Sequence, residues 1–85
     1  MASYSVVIRR SAGKDIEALP TADRRRVVAR IQALATDPRP VGCEKLSGEE
    51  KYRLRQGDYR ILYEITDREL IVTVVKVGNR RDVYR

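Results

Sequence analysis

The stretch KYRLRQGDYRILYEI, residues 51–65, contains two strand-like runs separated by a turn signal, QGD. Alternate side chains of a strand point to opposite faces. The basic residues of the first run therefore share one face, and the apolar face takes Tyr52, Leu54, Tyr59, Ile61 and Tyr63. This pattern predicts a β-hairpin with one basic face and one core face.

The segments before the hairpin predict a strand and two helices. Residues 3–10 begin with β-branched residues typical of a strand, and Ser11 is a candidate cap for a short helix that Pro20 ends. Thr21 is a candidate cap for a second helix, which Asp37-Pro38 ends. The apolar stripe of this second helix consists of Val27, Val28, Ile31, Leu34 and Ala35.

The segments around the hairpin complete a small fold. Residues 38–50 carry two prolines and two glycines and predict a loop, whereas residues 70–77 predict a third meander strand. The expected fold class is α+β, in order βααβββ, with a small antiparallel sheet and a helical hairpin on one face. We expect a single domain spanning residues 1–85, with a brief further pairing near Val83 and Tyr84.

Composition narrows the function classes. Hydrophobic residues make up 42% of the chain and charged residues 35%, as in soluble globular proteins. No apolar run approaches a bilayer span, and the N-terminus lacks a secretory pattern, so we expect a cytoplasmic protein without membrane contact. Cys43 is the only cysteine and there is no histidine. Neither metal catalysis nor a cofactor is therefore expected.

The net charge of +6 indicates a polyanionic partner, either nucleic acid or an acidic protein. Arg24, Arg25 and Arg26 form the densest run, which is more typical of a solvated helix face than of a nucleic-acid contact. Together with Lys14 and Arg39, they remain candidates for docking on RNA.

The arrangement of the hairpin arginines suggests an anion site. A tip at Gln56-Gly57 would place Arg55 opposite Asp58 and Arg53 opposite Arg60. Like charges directly opposite one another cost roughly 0.2 to 1 kcal/mol, so folding alone does not explain this pairing. One interpretation is a bound anion. The other is that the arginine stems cover the sheet while their charged heads stay in water.

A second basic cluster lies near the C-terminus and consists of Lys76, Arg80, Arg81 and Arg85. The strand over residues 70–77 is expected to lie beside residues 59–65, which brings this cluster toward the hairpin. Tyr84 lies in the same segment. Its side chain could either transfer a proton or pack the C-terminus on the sheet.

Three segments, KLSG at 45–48, YRLRQGDYRILYEI at 52–65 and VGNRRDVYR at 77–85, follow the predicted helical hairpin. In this order they resemble the RelE/ParE superfamily of bacterial toxins, and more the RelE branch than the ParE branch. The resemblance implies a metal-independent, ribosome-dependent endoribonuclease that cuts messenger RNA in the A site by attack of a ribose 2′-hydroxyl on the adjacent phosphate.

The resemblance also implies roles for individual residues. The catalytic positions fall on Arg53, Arg55, Arg60, Arg80 and Tyr84, and the surrounding RNA contacts on Lys51, Lys76, Arg81 and Arg85. Arginine forks can hold phosphate oxygens in pairs. RelE-type enzymes often carry lysine at the first two catalytic positions, and many carry histidine where this chain has Asn79. Arginine rarely gives up its proton, so the general base stays open.

The resemblance further implies a RelB-like antitoxin that masks the basic face, with operator DNA bound only by the toxin–antitoxin complex. Two other functions stay open: a DNA gyrase inhibitor of the ParE kind, and a degenerate toxin that acts only as antitoxin partner or corepressor. Codon preference, the antitoxin's identity, the stoichiometry of the complex and retained toxicity do not follow from the sequence.

Overall fold

The helices and strands follow the predicted order, with one added strand. The computed structural model describes residues 3–46 and 50–79. Its elements are β1 (Ser5–Ile8), α1 (Arg10–Glu17), α2 (Thr21–Ala33), β2 (Glu44–Lys45), β3 (Lys51–Gln56), β4 (Tyr59–Thr66) and β5 (Ile71–Asn79). The two-residue strand β2 lies within the segment predicted to be a loop. The predicted pairing near Val83 and Tyr84 lies outside the described residues.

The five described strands form one sheet in the order β1-β5-β4-β3-β2. Strands β3, β4 and β5 form the antiparallel meander that the sequence predicts. The outer strand β1 pairs parallel with β5, so the sheet is mixed rather than wholly antiparallel. Local pattern could not reveal this pairing, because the intervening helices and meander separate β1 from β5 by more than sixty residues. The α+β class itself is confirmed.

The predicted helix caps, Ser11 and Thr21, are wrong, because neither residue is the N-cap of its helix. The N-cap of α1 is Arg9 and that of α2 is Pro20, and neither makes a side-chain cap bond. Ser11 lies inside α1, where its hydroxyl donates to the Val75 carbonyl at 3.2 Å. Helix α2 ends at Ala33, before the predicted boundary at Asp37-Pro38. At its C-terminal end the hydrogen bonds become 3₁₀-like and join residues three apart. In one of them the Leu34 amide donates to the Ile31 carbonyl at 3.0 Å.

Both helices pack on the same face of the sheet, as predicted. The buried core is apolar throughout, with tyrosine as its aromatic component. Its members are Ala12, Ile16, Val27, Ile31, Leu34, Tyr52, Leu54, Ile61, Tyr63, Ile65, Val72, Val74 and Val77. We call the opposite side of the sheet the outer face. Within residues 3–46 and 50–79, no helix has the length and apolar character needed to cross a bilayer.

The hairpin turn is shifted by one residue from the predicted tip. Gln56 pairs with Tyr59, so the two loop residues are Gly57 and Asp58 rather than Gln56 and Gly57. Gly57 has a φ of 59°. A positive φ at the first loop residue matches the type II′ turn, whose twist suits a hairpin and which favours glycine at that position. The turn therefore favours the register in which Gly57, the glycine of the QGD segment, is the first loop residue.

Candidate nucleic-acid interface

The outer face of β3 and β4 carries three arginines close together. With the observed register, Arg55 lies directly opposite Arg60, and Arg53 lies opposite Leu62. The predicted pairs of Arg53 with Arg60 and Arg55 with Asp58 are therefore wrong. The shift moves each pairing by two residues, which preserves the face of every side chain. The structure thus brings Arg53, Arg55 and Arg60 to one face, as predicted.

Strand β5 adds a fourth cation on the other side of Leu62. Lys76 pairs with Leu62, and Gly78 pairs with Arg60. Leu62 therefore lies between Arg53 and Lys76, each at the separation of neighbouring strands, about 5 Å. Gly78 therefore places no side chain beside Arg60 on this strand. We call Arg53, Arg55, Arg60 and Lys76 the cation cluster.

Two carboxylates lie beside the cation cluster, and the sequence analysis missed both. Glu44 of β2 pairs with Arg53 in the sheet and accepts a hydrogen bond from its guanidinium. Glu64 of β4 pairs with Lys51, and its carboxylate lies 3.9 Å from the Lys51 ammonium and 3.5 Å from the Arg9 guanidinium. The period-two pattern could have placed Glu64 on the outer face, because it lies two residues after Leu62 and four after Arg60 in β4. Glu44 gave no signal, since it lies in a predicted loop.

The guanidinium of Arg53 is partly covered by this arrangement. Its side chain is 20% exposed, whereas that of its partner Glu44 is 65% exposed. A carboxylate and a phosphate each offer a pair of oxygens that can accept hydrogen bonds from the arginine fork. Glu44 therefore occupies part of the surface of Arg53 that an anionic ligand would use.

The tyrosines of the hairpin belong to the helix side, as predicted. Tyr52 and Tyr63 are 5% and 0% exposed, and their rings stack with centroids 5.7 Å apart. The Tyr63 hydroxyl donates to the Pro38 carbonyl at 2.9 Å, and burial raises the pKa of Tyr63. Tyr59 donates to the Asp23 carboxylate at 2.9 Å, and this bond raises its pKa. The phenols of Tyr59 and Tyr63 therefore stay protonated, and the three tyrosines are structural.

Arg39, predicted as a candidate for docking on RNA, also has a structural role. Its guanidinium donates two hydrogen bonds to the Asp67 carboxylate, at 3.1 and 2.8 Å, and a third to the Tyr52 hydroxyl at 3.1 Å. This end of the sheet lies opposite the hairpin tip. Lys14, Arg25 and Arg26 are exposed and Arg24 is partly buried. Exposure fits both a solvated helix face and a docking surface, so the docking of these residues stays a prediction.

Part of the predicted site lies outside the described residues, namely Arg80, Arg81, Tyr84 and Arg85. Asn79, the last residue of β5, pairs with Tyr59 and so lies on the helix side of the strand alternation. Lys51 lies on the outer face, next to Glu64. In the described part of the chain, no three histidine, cysteine, aspartate or glutamate side chains gather in a way that could hold a metal ion.

Fold and site together define a small α+β protein whose sheet has one face covered by two helices and a cation cluster on the other. A family model described as the ParE toxin of a type II toxin–antitoxin system matches residues 6–84. Toxin RelG of Mycobacterium tuberculosis is 33% identical, over 96% of this chain and 97% of its own. A RelE-like toxin protein of Escherichia coli is 31% identical, over 95% of this chain and 90% of its own.

Solved structures agree with these relatives. The RelE–RelB complex of Pyrococcus horikoshii matches with a TM-score of 0.84 and 29% identity, over 95% of this chain and 99% of that one. The RelBE2 toxin–antitoxin complex of Mycobacterium tuberculosis matches with a TM-score of 0.82 and 28% identity, over 93% of this chain and all of that one. The chain belongs to the RelE/ParE toxin superfamily, and it is a RelE-type toxin of the type II toxin–antitoxin class.

Proposed function

We propose that this chain is a ribosome-dependent endoribonuclease that cleaves messenger RNA in the ribosomal A site and so inhibits translation. The observation that carries the proposal is the cation cluster. Two of its arginines lie directly opposite each other, at a cost of roughly 0.2 to 1 kcal/mol to the sheet. An RNA phosphate between Arg55 and Arg60 would offset that repulsion.

The proposed reaction starts with the ribose 2′-hydroxyl, which loses its proton and attacks the adjacent phosphorus. The bond from phosphorus to the 5′-oxygen breaks, and that oxygen takes up a proton and leaves as a 5′-hydroxyl. The other product is a 2′,3′-cyclic phosphate. The protein supplies positioning, charge stabilisation and proton transfer.

Each residue of the proposed site has a role in this scheme. Arg60 and Arg80 hold the scissile phosphate and stabilise the charge that builds on its oxygens. Arg53 and Arg55 hold that phosphate or its neighbours, and Tyr84 transfers a proton or stacks on a base. The remaining RNA contacts are assigned to Lys51, Lys76, Arg81 and Arg85.

We further propose that residues 1–85 act as one RelE-like domain in the cytoplasm, where ribosomes hold the messenger in a reactive pose. A RelB-like antitoxin would neutralise the toxin by covering the outer face, and operator DNA would be bound only through that complex. Support comes from the solved relatives, several of which are toxin–antitoxin complexes.

The test uses purified ribosomes programmed with messenger RNA, followed by mapping of the new 5′ ends. Wild-type protein is expected to cut within codons on ribosomes, and Arg60→Ala and Arg80→Ala are each expected to lose about 100-fold in rate, as when one charge-stabilising donor is removed. Arg68→Ala is the matched control, since it removes an exposed arginine from the β4–β5 turn at the far end of the sheet.

The second candidate is a DNA gyrase inhibitor, which the name of the matching family model favours. Gyrase-mediated DNA breaks are measured in parallel with messenger cleavage. Breaks with intact messengers would reject the ribonuclease. A chain that does neither, but binds an antitoxin, would be the degenerate toxin.

A further inference from the structure

Strand β5 contains a β-bulge next to Lys76 of the cation cluster. Its register with β4 changes between two adjacent pairs, Leu62 with Lys76 and Tyr63 with Val74. Val75 is therefore an extra residue on β5 without a partner across the strand. A bulge of this kind inserts one residue into one strand and redirects the side chains that follow it.

The bulge decides which face Lys76 occupies. Val72 and Val74 are both fully buried on the helix side, and strict alternation would bury residue 76 beside them. Instead Val77 is buried, at 2% exposure, and Lys76 pairs with Leu62 on the outer face. If Val75 were instead paired regularly with a residue of β4, strict alternation would point the Lys76 ammonium into the core and Val77 into the cation cluster. Lys76 joins the cluster because the bulge leaves Val75 out of the pairing with β4.

Two side chains of α1 bind the backbone of β5, one at the bulged residue and one two residues after it. The Ser11 hydroxyl donates to the Val75 carbonyl at 3.2 Å. The Val77 amide donates to the Asp15 carboxylate at 3.1 Å. A bulge disrupts the ladder locally, and buried backbone groups need other partners. Strand β1 pairs with β5 only as far as Val74, so these two side chains provide partners for backbone groups of β5 beyond the end of β1.

The spacing of the two elements makes this double contact possible. Ser11 and Asp15 are four residues apart on a helix, a rise of about 6 Å on one face. Val75 and Val77 are two residues apart on a strand, a rise of about 6.6 Å. Between the two side chains, Ala12 is fully buried, and its small methyl group allows α1 to lie close to β5.

We propose that Ser11 and Asp15 are positioning residues of the RNA site, which hold the bulge at Val75 and thereby keep Lys76 in the cation cluster. This inference rests on the proposed function for its RNA part only. Neither residue touches RNA, because both lie on the helix side of the sheet. Their effect on RNA passes through the backbone of β5 to Lys76.

The test compares Ser11→Ala/Asp15→Ala, Asp15→Ala and Asp15→Asn with wild type. Asparagine keeps an oxygen that accepts the Val77 amide, so it separates the hydrogen bond from the charge. Glu17→Ala is the control, since it removes an exposed carboxylate from the same helix. Thermal unfolding selects the variants that fold. If the double variant does not, the Asp15→Ala and Asp15→Asn pair carries the test.

The first measurement is independent of RNA. Hydrogen exchange of the Val77 amide is expected to accelerate about tenfold in Asp15→Ala, because the amide loses its acceptor. Asp15→Asn and Glu17→Ala are expected to stay near wild type. In the double variant, the nuclear Overhauser contacts between Leu62 and Lys76 are expected to weaken. Unchanged exchange and unchanged contacts would show that α1 does not hold the bulge.

The second measurement is the dissociation constant of a single-stranded RNA whose 2′-hydroxyls are methylated, so that it binds without reacting. Asp15→Ala is expected to weaken binding severalfold in the wild-type background and not at all in a Lys76→Ala background. Equal losses in both backgrounds would overturn the link to Lys76. A wild type that does not bind RNA rejects the proposed function instead, and with it the RNA part of the inference, whereas the exchange result stands.

Discussion

At the scale of single residues, the site combines cations with carboxylates that partly neutralise them. Arg53 is paired with Glu44, and Lys51 lies beside Glu64. Such exposed pairs contribute little to stability, with a typical value of about 0 to 1 kcal/mol. Their larger effect is on the field that an RNA phosphate would meet. If the proposed RNA site is correct, we expect the carboxylates to affect anion affinity more than they stabilise the fold.

Glu44→Gln is expected to bind RNA severalfold more tightly than wild type. The substitution removes a negative charge that competes with phosphate for the Arg53 guanidinium, while the amide keeps the size of the side chain. Affinity for single-stranded RNA checks this, with Glu17→Gln as an equal change of charge on α1, away from the outer face. Tighter binding in both variants to the same degree would point to net charge alone.

Arg55→Thr is expected to leave the fold as stable as wild type or to stabilise it by up to about 1 kcal/mol, since it removes the like-charge pair with Arg60 and threonine suits strands. RNA binding is expected to weaken at the same time. Urea unfolding and RNA affinity are measured on one preparation. A clear loss of stability would contradict the view that Arg55 is kept for ligand binding.

At the scale of elements, the side chains of β4 alternate between the core and the outer face of the sheet. Its odd-numbered positions from Tyr59 to Ile65 face the helices, and its even-numbered positions face outward. Core positions and positions of the proposed site are therefore adjacent in sequence. The division depends on β4 being central in the sheet, because pairing on both sides prevents a one-residue slip.

Adjacent substitutions in β4 are expected to separate stability from activity. Ile61→Ala leaves a cavity at a position with no exposure and is expected to cost about 2–5 kcal/mol of unfolding free energy. Arg60→Ala is expected to change stability by less than about 1 kcal/mol, as is usual on a surface, while it removes activity. Chemical unfolding and messenger cleavage are compared. Equal destabilisation by both would place Arg60 in the structural framework instead.

At the scale of the whole molecule, a polar network joins distant parts of the chain at the end of the sheet away from the hairpin tip. Asp67, in the turn before β5, accepts hydrogen bonds from Arg39 and, at 2.7 Å, from the Tyr4 hydroxyl. Arg39 also lies over the Tyr52 ring, 5.3 Å from its centroid. The network thus connects the segment before β1, the loop after α2, β3 and the β4–β5 turn.

This network predicts a loss of stability in acid. The hydrogen bonds from Arg39, followed by that from Tyr4, lower the pKa of Asp67 from 3.8 to about 2. A carboxyl whose pKa is lower in the folded state stabilises the fold fully above its unfolded pKa. That contribution is lost as the pH falls from about 4 to about 2.

Asp67→Asn is expected to be less stable than wild type at neutral pH and to lose less stability between pH 4 and pH 2. Urea midpoints across this range measure the effect, with Glu17→Gln as the control carboxylate. Cleavage at neutral pH is expected to be retained, because the network and the cation cluster lie at opposite ends of β4. If Asp67→Asn lost as much stability between pH 4 and pH 2 as wild type, Asp67 would not be the cause of the acid destabilisation.

Much of the fold and part of the site followed from the sequence. The alternation of KYRLRQGDYRILYEI gave the two faces of the hairpin, and the helical stripe gave the covering elements. These features depend on neighbours within a few residues, so a local pattern records them. The face shared by Arg53, Arg55 and Arg60 was predicted even though the turn was placed one residue too early.

Only the tertiary structure decided which distant segments meet. The parallel pairing of β1 with β5, the approach of Glu44 to Arg53 and the bulge at Val75 all depend on contacts between elements far apart in the chain. In the sequence, the bulge shows only as a change of spacing: the apolar residues Val74 and Val77, both buried, are three positions apart instead of two. Period-two alternation records the face of a side chain, but its neighbours are set by packing that minimises the free energy of the whole molecule.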